Sequence, residues 1–384
     1  MKKKILILSS LIMFVLIVSI VTLFYSDNDK VIFESGSISN NRIVSSNALT
    51  MMYETSSGSG EYQVSNDTTW PTDGYIFNTE LSSCENGSSI AWDDNTKRVI
   101  VEANSGDKCY VYFDVIPTFA NYIINNVYTG TDGENNLYLH DGLGSYTNAD
   151  QEAGDNSYRY SGANPNNYVC FGSDEATCPN DNLYRIIGIF GDQVKLIKST
   201  SIGDYAWDSG NSNTWDASTK PDIYTTLNVT YYNTLESEWQ NKIANVTWEV
   251  GGVTWNRTYI AKDYYDLEVG SGQTGYVETM KIGLMYASDY GYAADPSCWT
   301  KSLSSNGYGL DNWLYLSNYA WLISPSSSSD SYGSAYNTGS SFGEGGLSTS
   351  YVVSTDAVYP TFYLLSSITL SSGTGTESAP FRIA

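Results

Sequence analysis

The stretch NPNNYVCFGSDEATCPNDNLYRIIGIF, Asn164 to Phe190, joins a polar segment pinched between Cys170 and Cys178 to an apolar run. That run, LYRIIGIF (183–190), is followed by Gly191-Asp192 and then by QVKLIKS (193–199). Two apolar runs across a Gly-Asp turn predict a β-hairpin, because glycine readily takes the positive φ that such short turns need. It is the strongest hairpin signal in the chain. The polar segment before it reads as a surface loop, closed by a disulfide, that feeds the hairpin and carries no reaction of its own.

Further strands are expected at KIGLMY (281–286), WLIS (321–324), STSYVVS (348–354) and VYPTFYLL (358–365), and SSGTGTESAPFRI (371–383) reads as a turn and a final strand. Two amphipathic helices are expected. In TFANYIINNVY (118–128), Phe119, Ile123 and Val127 recur every fourth residue, and in LESEWQNKIA (235–244) Leu235, Trp239 and Ile243 do the same. The serine-rich text at 324–346 reads as a long exposed loop between core strands. Ile116-Pro117 marks a boundary. Before it, SSIAW (88–92) and KRVIVEA (97–103) flank a turn, and CYVYFD (109–114) alternates aromatics with smaller residues. Residues 48–116 are therefore expected to form a small β-sandwich, too small to be secure without a covalent staple.

Location follows from the other end. Lys2, Lys3 and Lys4 precede ILILSSLIMFVLIVSIVTLFY (5–25). A helix of that length spans roughly 31 Å at about 1.5 Å per residue, close to a bilayer's hydrocarbon core. The lysines keep the N-terminus cytoplasmic. Residues 1–25 are read as an uncleaved signal-anchor, with a cleaved secretory signal as the alternative, and the polar residues 26–47 as a stalk. The five cysteines suit an oxidising compartment: Cys84–Cys109 and Cys170–Cys178 are the local pairs, leaving Cys298 over, read as a small hydrophobe beside Trp299. Loop-closure entropy makes those two bonds worth roughly 3.5 and roughly 2.5 kcal/mol.

The order of SYRYSGANPNNYVCFGS (157–173), CPNDNLYRIIG (178–188), KIGLMYASDYGYAA (281–294), DNWLYL (311–316), WLISP (321–325), VYPTFYL (358–364) and SGTGTESAPFRI (372–383) resembles a family of uncharacterised bacterial surface proteins of gut Gram-positive type. That family carries a C-terminal domain of unknown function, and TWPTDGYIFNTELSSCENG (69–87) matches the segment that accompanies it. The WLISP and VYPTFYL blocks are remotely similar to the C-terminal half of C-type-lectin-like folds, without the calcium and sugar motifs of the sugar-binding lectins. With this resemblance the expected class is α+β. A transmembrane helix and stalk lead to the small disulfide-stapled β-sandwich, then to a C-type-lectin-like mixed domain with long loops (117–384).

Composition narrows the chemistry. A formal charge of −23 repels phosphate backbones, so nucleic acid is excluded as a partner. The single histidine, His140, sits in a polar-looking loop and offers no triad. No phosphate-cradling or nucleophile-elbow motif occurs. Zinc is not expected, and no cofactor is. DDNT (93–96) and TDGEN (131–135) supply oxygen ligands for, at most, a structural calcium. A surface glycan- or peptidoglycan-acting hydrolase would draw on a carboxylate pair, for which Glu236, Glu238, Asp263 and Asp266 are examples that spacing does not single out. Binding without catalysis is the preferred class, because loops rich in Tyr, Ser, Gly and Asn supply rigid amphipathic contacts. The candidate contacts are Tyr205, Trp207, Trp215, Tyr319, Tyr332 and Tyr336. The expected function is adhesion, or recognition of an extracellular glycan or protein, by a single-pass membrane protein. A structural surface component is the third possibility.

Overall fold

The computed structural model describes residues 30–32, 48–65, 71, 74–93, 95–96, 98–102, 107–144, 149–250, 253–254, 256–270, 272, 275–316, 319–326, 334–337 and 345–384. The expected signal-anchor, most of the stalk and much of the serine-rich loop lie outside them. Among the described residues no helix is long and apolar enough to cross a membrane. The chain divides into two compact units, Met1–Pro117 and Thr118–Ala384.

The first unit is built from two open sheets. One runs Tyr62–Val64, Ala48–Glu54, Lys108–Val115, Tyr75–Cys84, and the other runs Lys30–Ile32, Arg98–Glu102, Ser89–Asp93. Along Lys108–Val115 every second side chain is buried, Cys109, Val111 and Phe113, as the two-residue repeat of a strand dictates. They meet Met51, Phe77 and Val99 in one cluster, where Trp92 stacks on Phe77 at 5.7 Å. Cys84 stands directly opposite Cys109 in the ladder, and their sulfurs are bonded. Beside the bond, the fully buried Asp107 carboxylate accepts the N–H groups of Asn86 at 2.7 Å, Lys108 at 2.8 Å and Ser88 at 3.0 Å. Burial pushes its pKa up, but hydrogen bonds from Ser88, Asn86 and Lys108 outweigh that and hold it at about 2.

In the second unit the hairpin LYRIIGIF/QVKLIK is the centre of a nine-stranded sheet. Its order is Ile282–Gly283, Thr361–Tyr363, Gln193–Lys198, Leu183–Phe190, Tyr168–Cys170, Phe381–Ile383, Leu370–Ser372; Ser157–Tyr160 also pairs with Leu183–Phe190 and carries Leu137–His140 outside it. Seven consecutive residues from Leu183 to Ile189 are buried, because elements cover both faces of this strand. Phe190 pairs with Gln193 around Gly191 (φ +62°) and Asp192, the expected two-residue turn. A bulge interrupts the ladder between Ile186 and Gly188. A Cβ on Gly188 would come within 2.5 Å of the Tyr158 carbonyl, so only glycine lets the neighbouring strand approach here.

The expected α+β class is corrected to a mostly-β architecture with few, short helices. TFANYIINNVY is helical only as Phe119–Tyr122 followed by a wider π turn over Ile123–Val127, and LESEWQNKIA only at Ser237–Gln240. The buried positions are nevertheless the apolar ones, Phe119, Ile123, Trp239 and Ile243. Burial, not helix length, was what the spacing encoded. The longest described α-helix is Ala261–Glu268, 8 residues, and the next is Ala287–Ala293.

Candidate functional site

The loop from Cys170 to Cys178 is held at both flanks. Its disulfide closes at a Cα–Cα distance of 5.8 Å. Arg382, in the last strand, donates to three of its carbonyls: Ser173 at 3.0 Å, Glu175 at 2.6 Å and Ala176 at 3.3 Å. Upstream, the buried Arg185 donates to Asn167 Oδ1 at 2.7 Å and to the Pro165 carbonyl at 3.0 Å, and its guanidinium lies over Tyr168 and Trp313. Asn182 folds back on the loop and donates to the Phe171 carbonyl at 3.0 Å. It fits only because Gly172 (φ +93°) has no Cβ, which would lie 2.6 Å from Asn182 Nδ2. The segment NPNNYVCFGSDEATC is thus a rigid rim.

Beside that rim lies a cavity of about 510 Å³. Gly172 comes from the loop, Asp181 and Asn182 from the helical turn Asn180–Asn182 that follows it, Tyr184 and Lys198 from the central hairpin, and Ser201, Ile202 and Tyr205 from the chain just after it. The far side is Thr226, Thr230, Tyr231, Thr234, Leu235 and Glu236, supplied by the helical turns Asp222–Thr225, Thr226–Tyr231 and Tyr232–Thr234 and the residues after them. Tyr184 and Tyr231 are buried and share a hydroxyl–hydroxyl hydrogen bond; burial raises both phenol pKa values. Lys198 donates to Thr200 Oγ1 at 2.9 Å and to the Asp181 carbonyl. Burial lowers its pKa, partly offset by the negative charge of Asp181. Tyr205, 37 % exposed, is the outermost ring; it lies against Gly203 (φ +128°), whose added Cβ would sit 3.1 Å from it. The arrangement offers a half-exposed aromatic face, threonine and tyrosine hydroxyls, one amine and two carboxylates. It is chemistry suited to holding a polyhydroxylated molecule.

Of the aromatic contacts expected from the sequence, Tyr205 lines this cavity. Trp207 and Trp215 are core residues, 0 % and 5 % exposed, packed edge to face at 5.8 Å, so their reading as ligand contacts is corrected to core filling. Tyr319 is half-exposed elsewhere on the unit. Tyr332 lies outside the described residues. Tyr336 lies on the strand Ser334–Asn337, opposite Thr349. Among the four carboxylates named from the sequence Glu236 lines the cavity, whereas Glu238 faces Lys242 at 3.9 Å, Asp263 accepts the Ile260 N–H at 2.9 Å, and Asp266 pairs with Lys262. Asp181 was not singled out; its signal was its place between the second cysteine of the staple and the central strand.

His140 is not a surface residue. It ends the strand Leu137–His140, fully buried between Tyr292 at 4.6 Å and Trp299 at 4.9 Å, with Nδ1 accepting the Ala153 N–H. Burial first, and the Arg159 charge second, hold its pKa well below the usual histidine value. The expected calcium ligands are engaged locally: Asp93 accepts from Asn95 and Thr96, Asp132 accepts the Leu139 N–H at 2.7 Å, and Glu134 accepts the Thr129 hydroxyl. Asp94 lies outside the described residues. Among the described residues one cluster has metal-ligand proximity, Cys84, Asp107 and Cys109, and its two sulfurs are bonded to each other. Cys298 is a buried free thiol. No protein-family model, no curated protein and no solved structure matches the chain.

Proposed function

We propose that this protein is a single-pass, surface-displayed recognition protein, and that its second unit binds a hydroxyl-rich ligand, a glycan, in the cavity between the stapled loop and Tyr231. The observation that carries the reading is the composition of that cavity: Tyr205, the Tyr184–Tyr231 hydroxyl pair, Lys198, Asp181 and Glu236 around about 510 Å³. Sugars are held in this way, by ring stacking on apolar faces and by paired donors and acceptors on their hydroxyls. The apolar run behind three lysines and the two disulfides support an extracellular setting for the bulk of the chain. A C-type-lectin-like architecture is part of the proposal and rests on the order of the aromatic strands near the C-terminus.

A second reading is favoured by one observation: Asp181 and Glu236 line the same cavity, as the two carboxylates of a glycoside hydrolase would. A glycan array probed with the full chain in detergent micelles, run beside a reducing-sugar release assay on the same glycans, separates the two. Retention without release supports recognition. Release that disappears in both Asp181→Asn and Glu236→Gln makes the protein a hydrolase.

A further inference from the structure

Lys195 lies mid-strand in Gln193–Lys198, fully buried, with Nζ 2.5 Å from Asp289 Oδ2. Asp289 belongs to the helix Ala287–Ala293 and is itself only 2 % exposed. The two residues are 94 apart in sequence. Four rings surround the amine: Tyr286 at 4.4 Å, Trp248 and Tyr363 at 5.2 Å, and Phe190 at 5.5 Å. The carboxylate is oriented from the other sides. The Tyr286 N–H donates to Oδ2 at 2.9 Å, and Arg159 Nη1 stands 3.6 Å from Oδ1. Arg159 has a carboxylate of its own, Asp155, at 2.8 Å from Nη2. The cluster therefore holds two cations and two anions, and removing one of each leaves the Arg159–Asp155 pair balanced. Burial also lifts the nearby Glu268, which accepts the N–H groups of Ala287 and Ser288, to about 7.

We propose that Lys195 and Asp289 are a site of self-modification, in which the amine and the carboxyl condense to an isopeptide bond with loss of water. A proton first passes from Nζ to Oδ2 across their contact, giving amine and acid. The nitrogen lone pair then attacks Cγ, and the carbonyl electron pair moves onto Oδ1, which faces Arg159. A second proton moves from nitrogen to Oδ2, the Cγ–Oδ2 bond breaks, and water leaves. The nitrogen keeps one hydrogen as an amide. No oxidant, reductant or cofactor enters the balance. In bulk water this condensation is unfavourable, because ammonium and carboxylate are both well solvated. Here both ions are buried, where ammonium and carboxylate lose their solvation, and the fold holds Nζ 2.5 Å from Oδ2.

The test is the mass of the full chain, denatured and reduced, followed by tandem mass spectrometry of its tryptic peptides. The expected result is a chain one water lighter than its sequence, with a branched peptide joining the residues around 195 to those around 289. Lys195→Met, which lacks the nucleophile, is expected to regain the full mass; because the reading is made on denatured chain, it holds whether or not that variant folds. Wild-type chain at full mass with linear peptides through both residues overturns the proposal. So does a missing water that persists in Lys195→Met.

Discussion

Arg382 Nη1 donates to the Ser173 carbonyl at 3.0 Å across a sequence separation of 209 residues. Through this contact the last strand of the chain grips the stapled loop near its midpoint, and the loop and the turn Asn180–Asn182 after it bring Gly172, Asp181 and Asn182 to the cavity. A loop pinned by a bond, a guanidinium and the Asn182 amide acts as a wall, and a wall keeps its shape before the ligand arrives.

Arg382→Ala removes this grip. Charge-assisted hydrogen bonds at a partly exposed site support a loss of about 1 kcal/mol in stability, together with faster proteolysis between Ser173 and Cys178. Urea unfolding and limited digestion measure the two effects. Equal cleavage rates in wild type and variant would show the loop is held by something else.

Replacing Cys170 and Cys178 together by serine is expected to cost about 2.5 kcal/mol from loop-closure entropy, read as a lower urea midpoint. The same exchange at Cys84 and Cys109 opens a longer loop and is expected to cost about 3.5 kcal/mol. Reversed order would mean that packing around the sulfurs outweighs chain entropy.

Asp107 makes the first unit acid-sensitive. Its pKa is depressed from the ordinary 3.8 to about 2 in the fold. A depressed carboxyl contributes its full stability above the unfolded value, and that contribution drains away as pH falls from 3.8 towards 2. Hydrogen exchange of amides in residues 84–115 is expected to accelerate across that window, and Asp107→Asn to flatten the slope while lowering stability at neutral pH.

His140 behaves in the same sense from another starting point. Its folded pKa lies well below 6.5, so the neutral ring is favoured in the fold and stability is lost as pH falls below 6.5. Since it is the only histidine, its imidazole NMR signal is unambiguous. It is expected not to titrate between pH 7.5 and 5.5. A midpoint near 6.5 would place it in solvent.

The sequence was most legible where the period was clean. LYRIIGIF, Gly191-Asp192 and QVKLIK form the hairpin their pattern implies, and the spacing of Cys84, Cys109, Cys170 and Cys178 points to the two bonds formed. The helix Ala287–Ala293 escaped notice because all seven of its residues are buried, which leaves no polar face to generate a repeat. Aromatic content alone did not separate surface from core. Trp207 and Trp215 share a loop with Tyr205, yet the tryptophans fill the interior and the tyrosine lines the cavity. The cavity itself is assembled from residues 172–236, across a strand pair and three helical turns, a juxtaposition no local pattern records.

The most direct measurement is a binding titration of the full chain in detergent micelles against a glycan retained on the array, repeated with Tyr205→Ala and Tyr231→Phe. The account predicts saturable binding that weakens about tenfold or more without the Tyr205 ring, as the loss of one stacking contact implies, and that weakens further when the Tyr184–Tyr231 hydroxyl pair is broken. Wild-type affinity in both variants, or no glycan bound by the native protein, would contradict it.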